Sequence, residues 1–85
     1  MTETQIKELA LRILGEIAPE ADLEKLRTDA RIRDQMDFDS VDYLNFAMAL
    51  QEALGIKIPE ADLYRLATID GCIAYLRSKS APGDT

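Results

Sequence analysis

The sequence predicts an all-α protein, a small four-helix bundle with three main helices, one short helix and a long first loop. Apolar residues recur at helical spacing in three segments, and no segment alternates apolar and polar residues as a half-buried strand does. The chain has 85 residues, which suits one domain. Its 47% hydrophobic and 31% charged residues are ordinary for a globular protein, so we expect a folded domain with an economical core.

The first helix is predicted over residues 4–18. Its apolar residues follow the spacing of one helical stripe: Ile6, Leu9, Ala10, Ile13, Leu14 and Ile17. Thr2 or Thr4 is suited to cap its start, and Pro19 lies just beyond its end.

A long loop is predicted from Pro19 to Asp39. Its apolar residues are spaced too irregularly for one helix: Leu23, Leu26, Ile32, Met36 and Phe38. We expect one helical turn over residues 22–26, and we expect the apolar side chains to hold the loop against the core. Loops longer than about 15 residues in compact domains are usually functional.

The second helix is predicted over residues 40–54, the least polar segment of the chain. Its alanine, leucine and methionine residues are strong helix formers, and Gly55 suits the position after its end. Since only a narrow polar strip remains, this helix must be central to the core or keep apolar surface for a partner. Tyr43 and Phe46 are expected to pack in the core or at its edge.

Two shorter segments complete the bundle. Pro59 favours a brief helix over residues 60–66, and Thr68 is the expected N-cap of the last helix. The last helix has an apolar stripe: Ile69, Cys72, Ile73 and Leu76. Because Cys72 lies on this stripe, we expect a buried core residue and not a nucleophile. Residues 80–85 are predicted to form a flexible tail.

The composition argues against catalysis and against a metal site. The chain has no histidine, so it lacks the commonest general base and the usual partner of a nucleophilic serine or cysteine. Asp37, Asp39 and Asp42 only faintly suggest a calcium loop, which would need glycine at position 42 and glutamate at position 48. We therefore predict a protein that is not an enzyme, with no catalytic residue and no metal ligand.

The charge balance bears on partners and location. The formal net charge is −6, which disfavours binding to nucleic acid and to anionic membranes. The first 16 residues carry charges that a secretory signal would not tolerate, and the longest uncharged run, residues 43–51, is too short to span a bilayer. We expect a cytoplasmic monomer without stable membrane insertion.

The segment from Asp37 to Leu44 carries the remaining signal. Ser40 falls in the first turn of the second helix, where Asp39 is a natural N-cap and Asp42 follows three residues later. A phosphate esterified to Ser40 would lie near the positive end of the helix dipole. Residues 37–62 hold six acids and one base, a net charge of −5. This concentration indicates either a docking surface for basic partners or simply a solvated helix face.

The order of these elements and the triplet Asp39-Ser40-Val41 resemble the acyl carrier proteins, over about residues 3–79. That family is a four-helix bundle with a long first loop, and its Asp-Ser-Leu motif opens the second helix. Three further stretches are similar to the family: Ala-Met-Ala-Leu-Gln-Glu-Ala-Leu-Gly-Ile at 47–56, Ile-Pro-Glu-Ala-Asp at 58–62 and Ala-Thr-Ile-Asp-Gly at 67–71. The triplet alone is a weak motif, but these stretches at the right spacing make the resemblance specific.

The resemblance implies an acyl-carrier-like domain over residues 1–79 with Ser40 as the attachment site of a 4′-phosphopantetheine arm. Asp39 would belong to the motif that a phosphopantetheinyl transferase recognises when it transfers the arm from coenzyme A. The arm would hold an acyl group as a thioester, and the partners would be acyl-loading and acyl-processing enzymes with basic docking surfaces. The implied docking residues are Asp37, Val41, Asp42, Asn45, Met48, Glu52, Glu60 and Asp62.

The chain departs from the family pattern near the motif. Asp37-Phe38 stands where Gly-Leu is common, Val41 replaces leucine, and Asn45 and Gln51 replace residues that are commonly acidic. We therefore hypothesise a specialised, freestanding carrier of a dedicated fatty-acid, lipid or polyketide pathway. A carrier of amino-acyl groups and an unmodified helical adaptor remain as alternatives.

Two interpretations of the bundle interior also remain open. The second helix and the loop residues Ile32, Met36 and Phe38 could open to take an acyl chain between the helices. The simpler interpretation is an ordinary packed core. The residues expected in that core are Leu44, Met48, Ile58, Leu63 and Ile73.

Overall fold

The computed structural model describes residues 2–80 and shows a small helical bundle. The α-helices are α1 (Glu3–Ile17), α2 (Ser40–Leu54) and α3 (Ile69–Ser80), and the 3₁₀ helices are η1 (Leu23–Lys25), η2 (Ile32–Asp34) and η3 (Glu60–Leu66). Within residues 2–80 there is no strand, only one isolated bridge between Arg31 and Thr68. The predicted all-α bundle of three main helices and one short helix is confirmed. No helix in this part of the chain has the length and apolar character to cross a membrane.

The predicted C-terminal tail begins inside α3, because α3 includes Ser80. Residues 81–85, the rest of that predicted tail, lie outside the described residues.

Helix α1 begins at a capping box. The Thr2 hydroxyl accepts a hydrogen bond from the Gln5 backbone N–H at 3.1 Å, and the Gln5 side-chain oxygen accepts one from the Thr2 N–H at 2.9 Å. Thr2, and not Thr4, is therefore the cap. Five residues of the predicted stripe are buried: Ile6, Leu9, Ala10, Ile13 and Leu14. With this stripe, α1 packs against both α2 and α3.

The core residues that form one cluster with this stripe of α1 come from α2, η3 and α3. Its completely buried members include Phe46, Leu50, Leu66, Ile69, Cys72 and Leu76. The expectation that Cys72 is a core residue is confirmed. Burial raises the pKa of its thiol to about 12, so the thiolate is negligible at neutral pH.

The orientation of α2 differs in part from the prediction. Leu44 and Met48 were expected in the core, but their side chains are 49% and 57% exposed. Three other residues of α2 face inward: Phe46, Ala47 and Leu50. Because α2 is apolar almost all round, its sequence pattern does not define which side faces the core. The remaining members of the predicted core are buried or half-buried: Ile58, Leu63 and Ile73.

The long loop is fixed to the core at several points. Its apolar residues are buried or half-buried against the core, as expected: Leu23, Leu26, Ile32, Met36 and Phe38. The predicted turn over residues 22–26 is η1, whereas η2 was not predicted. The Ile32 N–H donates to the Ala67 carbonyl at 2.9 Å, and the Asp70 N–H donates to the Thr28 carbonyl at 2.9 Å. These bonds hold η2 beside the junction of η3 and α3.

A buried tyrosine joins η3 to α3. The Tyr75 hydroxyl donates to Asp62 Oδ2 at 2.7 Å. Arg65 and Lys79 lie over the Tyr75 ring, 5.5 and 5.7 Å from its centroid. Burial first, and the Asp62 carboxylate second, raise the pKa of Tyr75 to about 12. The phenol therefore stays protonated and keeps donating to Asp62 at neutral pH.

Candidate attachment site

Ser40 is the first residue of α2 and follows a capping box made by two aspartates. Asp39 Oδ1 accepts a hydrogen bond from the Asp42 N–H at 2.8 Å, and Asp42 Oδ2 accepts one from the Asp39 N–H at 3.3 Å. The predicted N-cap is thus confirmed, with aspartate in place of the usual glutamate on the return bond. The helix ends at Gly55, which has a left-handed φ of 66°.

The Ser40 side chain is exposed at this helix start. Its hydroxyl has no hydrogen-bond partner among residues 2–80, and the nearby Asp39 and Asp42 side chains bond to each other's backbone N–H groups. The free N–H groups of the first turn favour a negatively charged group at this end of α2. The structure therefore presents one accessible hydroxyl where a phosphodiester would be well placed.

A groove with a volume of about 480 Å³ opens beside Ser40, between η2, the first turns of α2, and η3. Its lining residues are Arg31, Arg33, Phe38, Asp39, Ser40, Tyr43, Leu44, Leu63, Tyr64 and Ala67. The sequence pattern did not predict that two arginines would line this groove. Arg31 and Arg33 come to the groove because the Ile32 N–H bonds to Ala67, 35 positions further along the chain, and no local pattern signals that contact.

Tyr43 lines the groove. Its hydroxyl donates to the backbone carbonyl of Leu63 and so connects α2 to η3. Burial, followed by the nearby Cys72 thiol, raises the pKa of Tyr43, which keeps this donor protonated at neutral pH. Its ring lies against Phe38, with 5.9 Å between ring centroids. The expectation that Tyr43 packs at the edge of the core is confirmed.

The candidate docking residues differ in their exposure and in their partners within the bundle. Four share one face of α2 and are all exposed: Val41, Asn45, Met48 and Glu52. Asp37 and Glu60 are exposed outside α2. Asp42 is half-buried in the capping box, and the half-buried Asp62 accepts the Tyr75 hydrogen bond. Two of the eight candidate residues therefore have structural partners within the bundle.

The capping box makes a testable contribution to stability. We expect Asp39→Ala to lower the free energy of unfolding by about 1 kcal/mol, because the Asp42 N–H loses its acceptor. Asp39→Asn should cost much less, because the asparagine oxygen can accept the same bond. Urea denaturation of both variants measures the difference. An equal loss in both would show that the negative charge, and not the cap, stabilises the helix start.

Comparison with known proteins bears on the chemistry of this site. A family profile described as "Phosphopantetheine attachment site" matches residues 4–76, from the first turn of α1 to the last turns of α3. An "Acyl carrier protein" of Lactobacillus johnsonii is 30% identical over 57 residues, which are 67% of this chain and 71% of that protein. The group that this domain carries is covalently attached 4′-phosphopantetheine. An exposed hydroxyl at a helix start, next to an open groove, fits that requirement. The chain belongs to the acyl carrier protein family and is a carrier protein with a phosphopantetheine attachment domain.

Proposed function

We propose that Ser40 carries the 4′-phosphopantetheine arm. We also propose that the protein presents acyl groups as thioesters to the enzymes of a dedicated fatty-acid, lipid or polyketide pathway. The observation that supports this most directly is the Ser40 hydroxyl, exposed and free of hydrogen bonds at the first residue of α2. The arm supplies a thiol at its far end, and the chain supplies its position and the surface that partners recognise.

The surroundings of Ser40 support a carrier and not a catalyst. The chain has no histidine, and both neighbouring carboxylates, Asp39 and Asp42, are hydrogen-bonded to backbone N–H groups of the capping box. Among residues 2–80, no side chain is hydrogen-bonded to the Ser40 hydroxyl as a general base that activates it would be. A phosphopantetheinyl transferase must therefore supply that base, and Asp39 is proposed as part of the motif that it recognises.

The exposed face of α2 is the proposed docking surface for partners. It combines apolar Val41 and Met48 with polar Asn45 and acidic Glu52, and Asp37 lies before the helix. We propose acyl-loading and acyl-processing enzymes with basic docking surfaces as its partners, and a cytoplasmic monomer as the working form. The face suits contacts that are partly apolar and only moderately sensitive to salt.

The proposal is tested by incubating the chain with coenzyme A, Mg²⁺ and a broad-specificity phosphopantetheinyl transferase. We expect one phosphopantetheine increment in the intact mass. After trypsin digestion the increment should lie on the peptide 34–57, in which Ser40 is the only serine or threonine. No increment with several transferases would contradict the proposal and favour an unmodified adaptor, and an increment on another peptide would move the site.

A further inference from the structure

A hydrogen bond joins two of the elements that line the groove beside Ser40. Tyr43 belongs to α2 and Leu63 to η3, and the Tyr43 hydroxyl donates to the Leu63 carbonyl. An alkyl chain that entered the bundle between α2 and η3 would have to break this hydrogen bond. It would leave the hydroxyl of the half-buried Tyr43 without its acceptor, which is unfavourable where water is excluded.

Behind this hydrogen bond, aromatic rings fill the path towards the core. The Tyr43 and Phe38 centroids are 5.9 Å apart, and the Phe38 and Phe46 centroids are 6.0 Å apart with the rings nearly perpendicular. Phe46 is completely buried. Three rings in contact therefore extend from the groove, which Tyr43 and Phe38 line, to the buried Phe46, and close-packed interiors resist their displacement.

The outer side of the groove is different, because it is open to solvent. Tyr64 is 72% exposed on one wall, and Arg31 and Arg33 lie along the other. A group held near Ser40 thus finds an accessible surface groove in front of it and a packed barrier behind it.

We propose that Tyr43 is a specificity-determining residue: it closes the route between α2 and η3, so that an acyl group carried at position 40 lies in the surface groove and outside the core. A short acyl group suits such a groove. A long alkyl chain would extend beyond the groove into water, where its methylenes gain no hydrophobic stabilisation. That the carried group is an acyl group rests on the proposed function. The barrier at Tyr43 does not depend on how a group is attached at position 40.

The test attaches alkyl chains chemically at position 40. Ser40→Cys is alkylated with N-butylmaleimide or N-decylmaleimide, and the native Cys72 does not compete because it is completely buried and its thiol pKa is about 12. Backbone amide chemical shifts then report where the chain lies. With Tyr43 present, we expect both probes to shift amides along the groove, while the amides of Phe46, Leu50 and Ile69 keep the same shifts with decyl as with butyl.

Two variants in the Ser40→Cys background isolate the role of Tyr43. Tyr43→Phe keeps the ring but removes the hydrogen bond, and we expect the decyl probe to begin to shift the core amides. Tyr43→Ala opens the route further, and its core amides should shift most. Tyr64→Ala removes an exposed tyrosine that lines the groove, so it should change the shifts of amides along the groove. It is the matched control for the core, because its core amides should keep the same shifts with decyl as with butyl.

The inference would be overturned if the decyl probe shifted the core amides of the parent as much as those of Tyr43→Phe. This comparison holds even if Tyr43→Ala fails to fold. Unchanged core shifts in Tyr43→Phe would also overturn the inference, because the phenol would then not be the barrier. The enzymatic loading of Ser40 is measured separately by mass. If loading fails while the chemical shifts are as expected, the proposed function is contradicted but the inference about Tyr43 still holds.

Discussion

Ser40→Ala is expected to abolish phosphopantetheine attachment completely and to leave the fold unchanged. The attachment needs the serine oxygen, and no other serine, threonine or cysteine occurs in residues 34–57. The fold does not need that oxygen, because the hydroxyl is exposed and makes no hydrogen bond within residues 2–80. Alanine is a strong helix former, and the cap from Asp39 is retained. Intact mass after treatment with coenzyme A and a transferase measures the loading, and thermal melting measures the fold.

Ser78→Ala is the matched control for this loss. Ser78 is an exposed serine on α3, far along the chain from the motif, so this variant should gain the same mass increment as the parent. An increment that persists on Ser40→Ala would contradict Ser40 as the attachment site. If the variant loses all loading but keeps full activity in the host, the protein acts as an adaptor and its cofactor is dispensable.

The start of α2 could be predicted because its signals are local. Asp39, Ser40 and Asp42 lie within four positions, and an N-cap depends on little beyond such short-range hydrogen bonds. The same holds for the helix end at Gly55, where the left-handed backbone favours glycine. The helix and the position of its candidate serine therefore follow from residues next to each other in sequence.

The groove could not be predicted, because tertiary contacts build it. The Tyr43 hydroxyl meets the carbonyl of Leu63, 20 positions away, and η2 is placed by the bond from Ile32 to Ala67. The prediction that Leu44 lies in the core was wrong for a second reason. An almost wholly apolar helix gives no periodic signal for the side that faces inward. Local patterns thus located the serine but not the surface around it.

Gly71 should be the most sensitive glycine in the bundle that holds this surface. A Cβ atom at this position would lie 2.5 Å from the Arg65 carbonyl oxygen and 3.0 Å from the Thr68 hydroxyl oxygen. The first is backbone of η3, and the second accepts the capping hydrogen bond from the Gly71 N–H at 2.8 Å. Neither atom can move away without disturbing the junction of η3 and α3. Gly71→Ala should therefore lower the free energy of unfolding by about 1–3 kcal/mol, as overpacking does.

Gly15→Ala is the matched control, and its effect should have the opposite sign or be near zero. Its nearest contact is the flexible end of Leu23, with Cδ1 at 3.2 Å, and alanine in place of glycine favours a helix by up to about 1 kcal/mol. Both substitutions add one methyl group inside an α-helix, so helix propensity alone predicts stabilisation in each case. For a domain of this size each kcal/mol moves the melting temperature by roughly 4–8 °C, which thermal denaturation resolves easily.

If Gly71→Ala melts at or above the parent temperature, η3 can shift relative to α3 at little cost. The wall that η3 contributes to the Ser40 groove would then be adjustable, and Tyr43 would have to hold it alone.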